Sequence, residues 1–553
     1  MFPRRFAVSA LTSALFLAAC SSPAPDAAET VNNHIGEPQA AAVPQAAMRS
    51  KAVAPMMDAR AGIGGKTVMI TMPVPESMRP VQNTEKYGEI QTNPVHAVAQ
   101  TPVSTFSIDV DTGSYANVRR FLNDGRLPPA DAVRVEEIIN YFDYRYPQPT
   151  GGKPFAVHTE TVVSPWQENA EIIKIGIQAK DLAQKSLPPA NLVFLVDVSG
   201  SMNAENKLPL VKQTLRLLTE QLRPQDKVTL ITYAAGEKVV LPPTSGKEKD
   251  TILRAINELQ AGGATAGERA IQTAYKEAQK AYVKNGINRI LLATDGDFNV
   301  GITDFNTLKS MVAEKRKSGI SLTTLGFGTG NYNEHLMEQL ADAGDGNYSY
   351  IDNRNEAKKV LQRQLTSTLA TVAQDVKIQV EFNPAAVKEY RLIGYENRAL
   401  KQEDFNNDKV DAGDIGAGHS VTALYEIIPA GKKGWLAESR YQATPKVSDG
   451  LSNEYAFVKL RYKLPGQNQS ILISQPVAKG SKPLSQASAD TRLALAAASY
   501  GQQLRGGQYS GKTDWNGILS LAQSAANPDP YGLREEFVEL VKTAKSLSAK
   551  KPE

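Results

Sequence analysis

Asp197-Val198-Ser199-Gly200-Ser201 sets a carboxylate and two hydroxyls at alternate positions of one short stretch. Alternate side chains of a tight loop fall on one side, and Gly200 relieves the turn. Asp295, with Gly296 behind it, and Thr265, in the glycine-rich AGGATAG, offer two more oxygen donors. The set is two carboxylates and three hydroxyls without histidine or cysteine. Such a set suits a hard cation, Mg²⁺ first, with Mn²⁺ or Ca²⁺ as substitutes, and disfavours zinc or copper.

These residues need a scaffold that gathers them. Leu192-Val193-Phe194-Leu195-Val196, just before Asp197, is an unbroken apolar run, as expected of a strand covered on both faces. After it Leu208, Val211, Leu215, Leu218 and Leu222 recur at helical spacing. Further apolar strands are predicted at 228–233, 239–241, 290–293, 322–327 and 348–351, with helical stretches between most of them. That alternation predicts a doubly wound α/β domain with a parallel sheet over 186–374. Ligands of such sheets sit at the carboxyl ends of strands. The Asp197 and Asp295 loops fall there from sequence alone; the Thr265 loop reaches it only if the fold brings it round.

On either side of this unit the hydrophobic period is two. Ile173, Ile175 and Ile177 alternate with polar or small residues, as do Val376, Ile378 and Val380, and Val458, Leu460 and Tyr462. The strands before and after the α/β unit are expected to form one antiparallel β-sandwich into which that unit is inserted. The expected segments are an N-terminal region over 93–185, a β-rich region over 375–480 and a helical region over 481–553.

DVSGSM, the threonine of GGAT and the aspartate of ATDGD resemble the metal-ion-dependent adhesion site of von Willebrand factor A (VWA) domains. The resemblance implies that Ser199, Ser201 and, in the ligand-engaged form, Thr265 bind a divalent metal directly, while Asp197 and Asp295 act partly through water. It also implies that an acidic side chain of a partner protein takes the sixth position. Neutral hydroxyls favour that, because they leave the ion's charge under-compensated. NPVHAVAQTPVSTFSIDVDTGSYANVRRFL at 93–122 and EYRLIGYENRALKQEDFNNDKVDAGDIGAGH at 389–419 resemble a group of bacterial VWA lipoproteins, the YfbK-like group.

Residues 1–19 have the charged start, apolar run and small-residue end of a secretory signal. Leu17-Ala18-Ala19-Cys20 resembles a lipobox, with Cys20 as the lipid-modified first residue, and Ser21 after it suggests the outer membrane. The Ala/Pro-rich stretch over 20–92 reads as a tether. The expected location is therefore the cell envelope, with a membrane contact through the lipid. Cys20 is the sole cysteine of 553 residues, so the folded part relies on apolar cores rather than disulfides.

A net charge of +4 without a basic block argues against nucleic acid. Gly326-Phe327-Gly328-Thr329-Gly330 follows a strand, but Asn331 breaks G-x-G-x-x-G and no Walker lysine occurs, which argues against a nucleotide. Asp111-Thr112-Gly113-Ser114 mimics an aspartic-protease loop, but no second such loop exists; it is read as a turn capping a helix near Ser114. No catalytic triad or dyad emerges. The expected function is binding rather than catalysis: a metal-dependent grip on an exposed Asp or Glu of a partner. The alternative is an envelope scaffold whose metal is structural.

Overall fold

The computed structural model describes residues 84–183, 186–263, 267–296, 305–363, 370–437, 451–525 and 528–549, without the side chains of 267, 268, 362 and 363. Cys20, the expected signal, most of the expected tether and Thr265 lie outside the described residues. Folded structure is already present at Thr84, ahead of the boundary expected at 92.

The apolar run becomes the strand Ala190–Asp197, all eight residues buried. It lies inside a six-stranded sheet, in the order Tyr348–Ile351, Ser321–Phe327, Ile287–Thr294, Ala190–Asp197, Lys227–Tyr233, Glu237–Ser245. Leu192, Phe194 and Val196 face one layer, where Val211, Leu215 and Leu218 of the helix Leu208–Gln221 cover them. Val193 and Leu195 face the other, against Ala270, Ile271 and Ala274 of the helix Gly267–Lys280. Burial on both faces is why the run is continuous rather than alternating.

All pairings in this sheet are parallel except that of Lys227–Tyr233 with Glu237–Ser245, which is antiparallel. The reason is length: three residues join those strands, too few for a crossover. From Ala190–Asp197 the chain moves to Lys227–Tyr233 on one side, then returns to Ile287–Thr294 on the other. The connections therefore diverge at the ends that carry Asp197 and Asp295, the switch point where open α/β sheets bind ligands.

Strands from before and after this unit pair directly. Ile173 is opposite Tyr425 in one antiparallel sheet, and Phe106 is opposite Ile378 in a second. Ile173, Ile175 and Tyr425 from the first share a core with Ile378, Val380 and Val458 from the second. The α/β unit is thus inserted into a β-sandwich, as expected. A third core joins Tyr115, Ile138 and Phe142 of the N-terminal region to Leu493, Phe537 and Val541 of the C-terminal helices. These two regions, separate in sequence, form one helical layer.

The turn at Asp111 does more than cap a helix, which corrects the sequence reading. The helix Gly113–Asn123 has no side-chain cap. Instead the buried Asp111 accepts hydrogen bonds from the Tyr348 amide at 2.9 Å and from Arg398 at 3.1 Å. A Cβ on Gly113 would lie 2.2 Å from the Tyr348 ring, so glycine is required for that approach. The insert is further held by Arg119, which pairs with Asp352, Glu356 and Glu536.

Arg134 pairs with Glu334 at 3.0 Å and Glu338 at 2.7 Å of the helix Glu334–Ala343, all three buried. Acids outnumber bases in this contact. Burial pushes the Glu338 carboxyl up to about 8 against the opposing pull of Arg134, with Glu334 and Asp342 adding repulsion. Burial also pushes Glu136 up to about 7, helped by Glu396 and Asp109. A raised carboxyl pKa means the fold favours the protonated form. Its contribution is complete below the ordinary value of 4.5 and is lost as pH rises through 7 to 8. Between pH 5 and pH 9 the wild type is therefore expected to lose several degrees of Tm relative to Glu338→Gln. Parallel Tm profiles for the two proteins would contradict this account of the contact.

Candidate metal centre

Asp197 ends the strand Ala190–Asp197 with 0% of its surface exposed. The Ser199 amide donates to its Oδ1 and the Thr294 hydroxyl to its Oδ2, each at 2.9 Å. Thr294 in turn accepts from the Gly296 amide at 3.1 Å, so the two strand ends are tied together through one carboxylate. Ser199 is extended, and a 3₁₀ turn over Gly200–Asn203 follows. This places the Ser199 and Ser201 hydroxyls 3.0 Å apart. Ser199 is buried and Ser201 exposed, so the pair leads from the interior to solvent.

The fold brings the third loop round. The Gly200 amide donates to the Gly263 carbonyl at 2.9 Å, and the Gly262 amide to the Val198 carbonyl at 2.7 Å. The chain is thus bonded to the DVSGS loop within two residues of Thr265, itself outside the described residues. Asp295, also 0% exposed, accepts hydrogen bonds from Lys207 Nζ at 2.9 Å and from Asn331 Nδ2 at 3.1 Å. Lys207 also donates to Asn331 Oδ1 at 2.9 Å.

Asp197, Ser199, Ser201 and Asp295 therefore meet at one rim of the sheet. Burial pushes the Asp197 carboxyl up to about 6 and the charge of Asp295 adds to this, while the Ser199 amide and hydroxyl and Thr294 oppose it. Two buried carboxylates beside two hydroxyls form a hard-oxygen set that a divalent cation would relieve of its repulsion. The residues present fit such an ion.

Sequence reasoning missed Thr294, Lys207, Asn331 and Glu85. Thr294 had a signal, since it stands immediately before Asp295 at a strand end. Lys207 had none: six residues past Ser201 it looks like any lysine ahead of a helix. Gly328, with φ +79°, lies where a Cβ would come within 2.4 Å of two Lys207 carbons, so the loop is shaped around the lysine stem. The Asn331 loop is clasped from outside the domain. Thr84 N–H donates to the Gly330 carbonyl, Lys86 N–H to that of Tyr332, and Gly330 N–H to Glu85 Oε1 at 2.9 Å. Glu85 is anchored by Arg120 at 3.0 Å.

Residues 191–364 match the family described as von Willebrand factor type A domain, and residues 81–174 the one described as von Willebrand factor. Residues 367–547 match the family described as Uncharacterized protein YfbK, C-terminal. The chain is similar to the protein of that name from Escherichia coli (strain K12), 48% identical over 473 residues, which covers 84% of this chain and 82% of that one. It is 25% identical over 312 residues to Uncharacterized protein sll0103 of Synechocystis sp., covering 55% of this chain and 69% of the other. The solved structure of a von Willebrand factor type A from Catenulispora acidiphila superposes with a TM-score of 0.40 at 16% identity, covering 72% of this chain and 92% of that one.

Gly328→Ala places a methyl group in left-handed backbone against the Lys207 stem. It is expected to cost about 1–3 kcal/mol in denaturant unfolding. Wild-type stability for that variant would contradict the packing described.

Proposed function

Because the chain belongs to the YfbK-like group of bacterial VWA proteins, we propose that it is a protein-binding module whose grip depends on a divalent metal at the rim of its α/β sheet. Asp197, Ser199, Ser201, Asp295 and Thr265 would hold Mg²⁺, or Mn²⁺ or Ca²⁺ in its place. Bound there, the ion supplies a positive coordination position for a carboxylate oxygen of the partner's Asp or Glu. The observation that carries this reading is the pairing of the wholly buried Asp197 with a Ser199–Ser201 hydroxyl pair that opens to solvent.

The chain's own residues prepare that position. The Ser199 amide and the Thr294 hydroxyl fix Asp197 from two sides, so it meets an ion without reorganising. Asn331 fixes Asp295 through its side-chain amide. The role is binding and holding, with no bond-breaking step assigned to any residue. We further propose that Cys20 carries a lipid that anchors the chain in the bacterial envelope, most simply at the outer membrane, and that the Ala/Pro-rich stretch spaces the domains from it.

Asp197→Ala and Ser199→Ala are expected to remove Mn²⁺ uptake in calorimetry while circular dichroism stays native. Equal Mn²⁺ binding by wild type and both variants would defeat the metal-dependent reading. Crosslinking in intact envelopes with and without a chelator separates the two roles for the ion. Partners lost on chelation support the grip; partners retained support a scaffold in which the metal only braces loops.

A further inference from the structure

A lysine is built into the candidate metal centre. Lys207 immediately precedes the helix Leu208–Gln221, and its side chain is only 8% exposed. Its ammonium lies 2.9 Å from Asp295 Oδ2 and 2.9 Å from Asn331 Oδ1. Asn331 closes a triangle by donating to the same Asp295 oxygen at 3.1 Å. The stem crosses Gly328, where any side chain would collide with it. A solvated surface lysine would need none of this; the loop is cut to admit one long cation and aim it at one carboxylate.

Charge then decides what the lysine does. Asp197 and Asp295 together would present two negative charges to a cation, and with Lys207 the group carries one. A divalent ion entering the bare pair would be neutralised; entering beside Lys207 it keeps one positive charge. In a buried site such a difference is felt strongly, since screening by water is weak there. We propose that Lys207 is the resident counter-charge of the metal centre. It weakens the hold on the divalent ion and leaves that ion with charge to spend on a partner's carboxylate. This rests on the metal-dependent reading above.

A purely structural lysine and a charge-setting one predict opposite signs. If Lys207 only props Asp295 in place, its loss loosens the site and weakens metal binding. If it sets the charge, its loss tightens metal binding. The test uses the full chain at pH 8 and fixed ionic strength, titrated with Mn²⁺ by calorimetry. Lys207→Met is expected to bind Mn²⁺ about tenfold tighter than wild type, and Lys207→Arg within about threefold of wild type. Asn331→Asp, an isosteric change at a partly exposed residue that adds one negative charge beside the lysine, is expected to tighten Mn²⁺ in the same direction.

Two further readouts accompany these. Metal-free Lys207→Met should melt below metal-free wild type yet gain more Tm on adding Mn²⁺. Its Mn²⁺-loaded form should bind acetate, the carboxylate probe, several-fold more weakly than the loaded wild type. Unchanged or weaker Mn²⁺ binding in Lys207→Met and Asn331→Asp overturns the proposal. Should Lys207→Met not fold, Asn331→Asp decides alone. Wild type that binds no Mn²⁺ overturns the metal-dependent reading itself, whereas wild type that binds while neither variant tightens overturns the role of Lys207 alone.

Discussion

A carboxylate with no exposed surface at the end of an apolar strand is the constraint on which the rest is built. Asp197 cannot be moved outward, because the five residues before it are locked into both faces of the sheet. Nor can it be left alone, because an unpaired buried charge is costly. Around that fixed point the neighbouring strand brings Thr294, the following loop folds back its own Ser199 amide, and Asp295 is placed with its own cation. The rim is thus organised by what Asp197 needs as much as by any ligand.

The surrounding architecture holds this rim from several directions. The α/β unit leaves and re-enters a sandwich whose sheets are completed only by strands from both ends of the insertion. Arg119 then binds the buried Glu356 of the insert, and Arg134 and Arg398 its buried Glu338. The clasp of residues 84–86 on the Gly330–Tyr332 loop extends this to the rim that carries Asp295, because that loop holds Asn331. The second layer around Asp295 therefore includes chain from outside the inserted domain.

Much of this was legible from the residues. The continuous run at 192–196 identified a doubly covered strand because burial on two faces abolishes alternation. The period-two stretches on either side of the insert identified antiparallel strands, but only Glu454–Lys463 keeps a partly exposed face. The polar partners Lys174, Gln178, Lys377 and Gln379 of the others are buried under neighbouring chain, which the alternation alone does not reveal. Four of the five oxygen-bearing residues could be grouped because they follow strands directly, and strand ends in such sheets converge. The antiparallel edge strand was less legible, since Val239–Leu241 reads the same in either direction and only the three-residue link decides it. Lys207, Glu85 and the Asp111 knot were not legible at all. Their roles arise from partners hundreds of residues away or from the shape of a loop, and no local pattern encodes those. The same holds for the joining of the N-terminal and C-terminal helices, whose apolar faces are each visible but whose mutual pairing is not.

Anomalous diffraction from crystals of the full chain soaked in Mn²⁺ tests the central claim most directly. A manganese peak is expected about 2.1 Å from the Ser199 and Ser201 hydroxyl oxygens, with Asp197 and Asp295 behind it. A fully soaked crystal with no peak at that rim, or with its peak elsewhere in the fold, would contradict it.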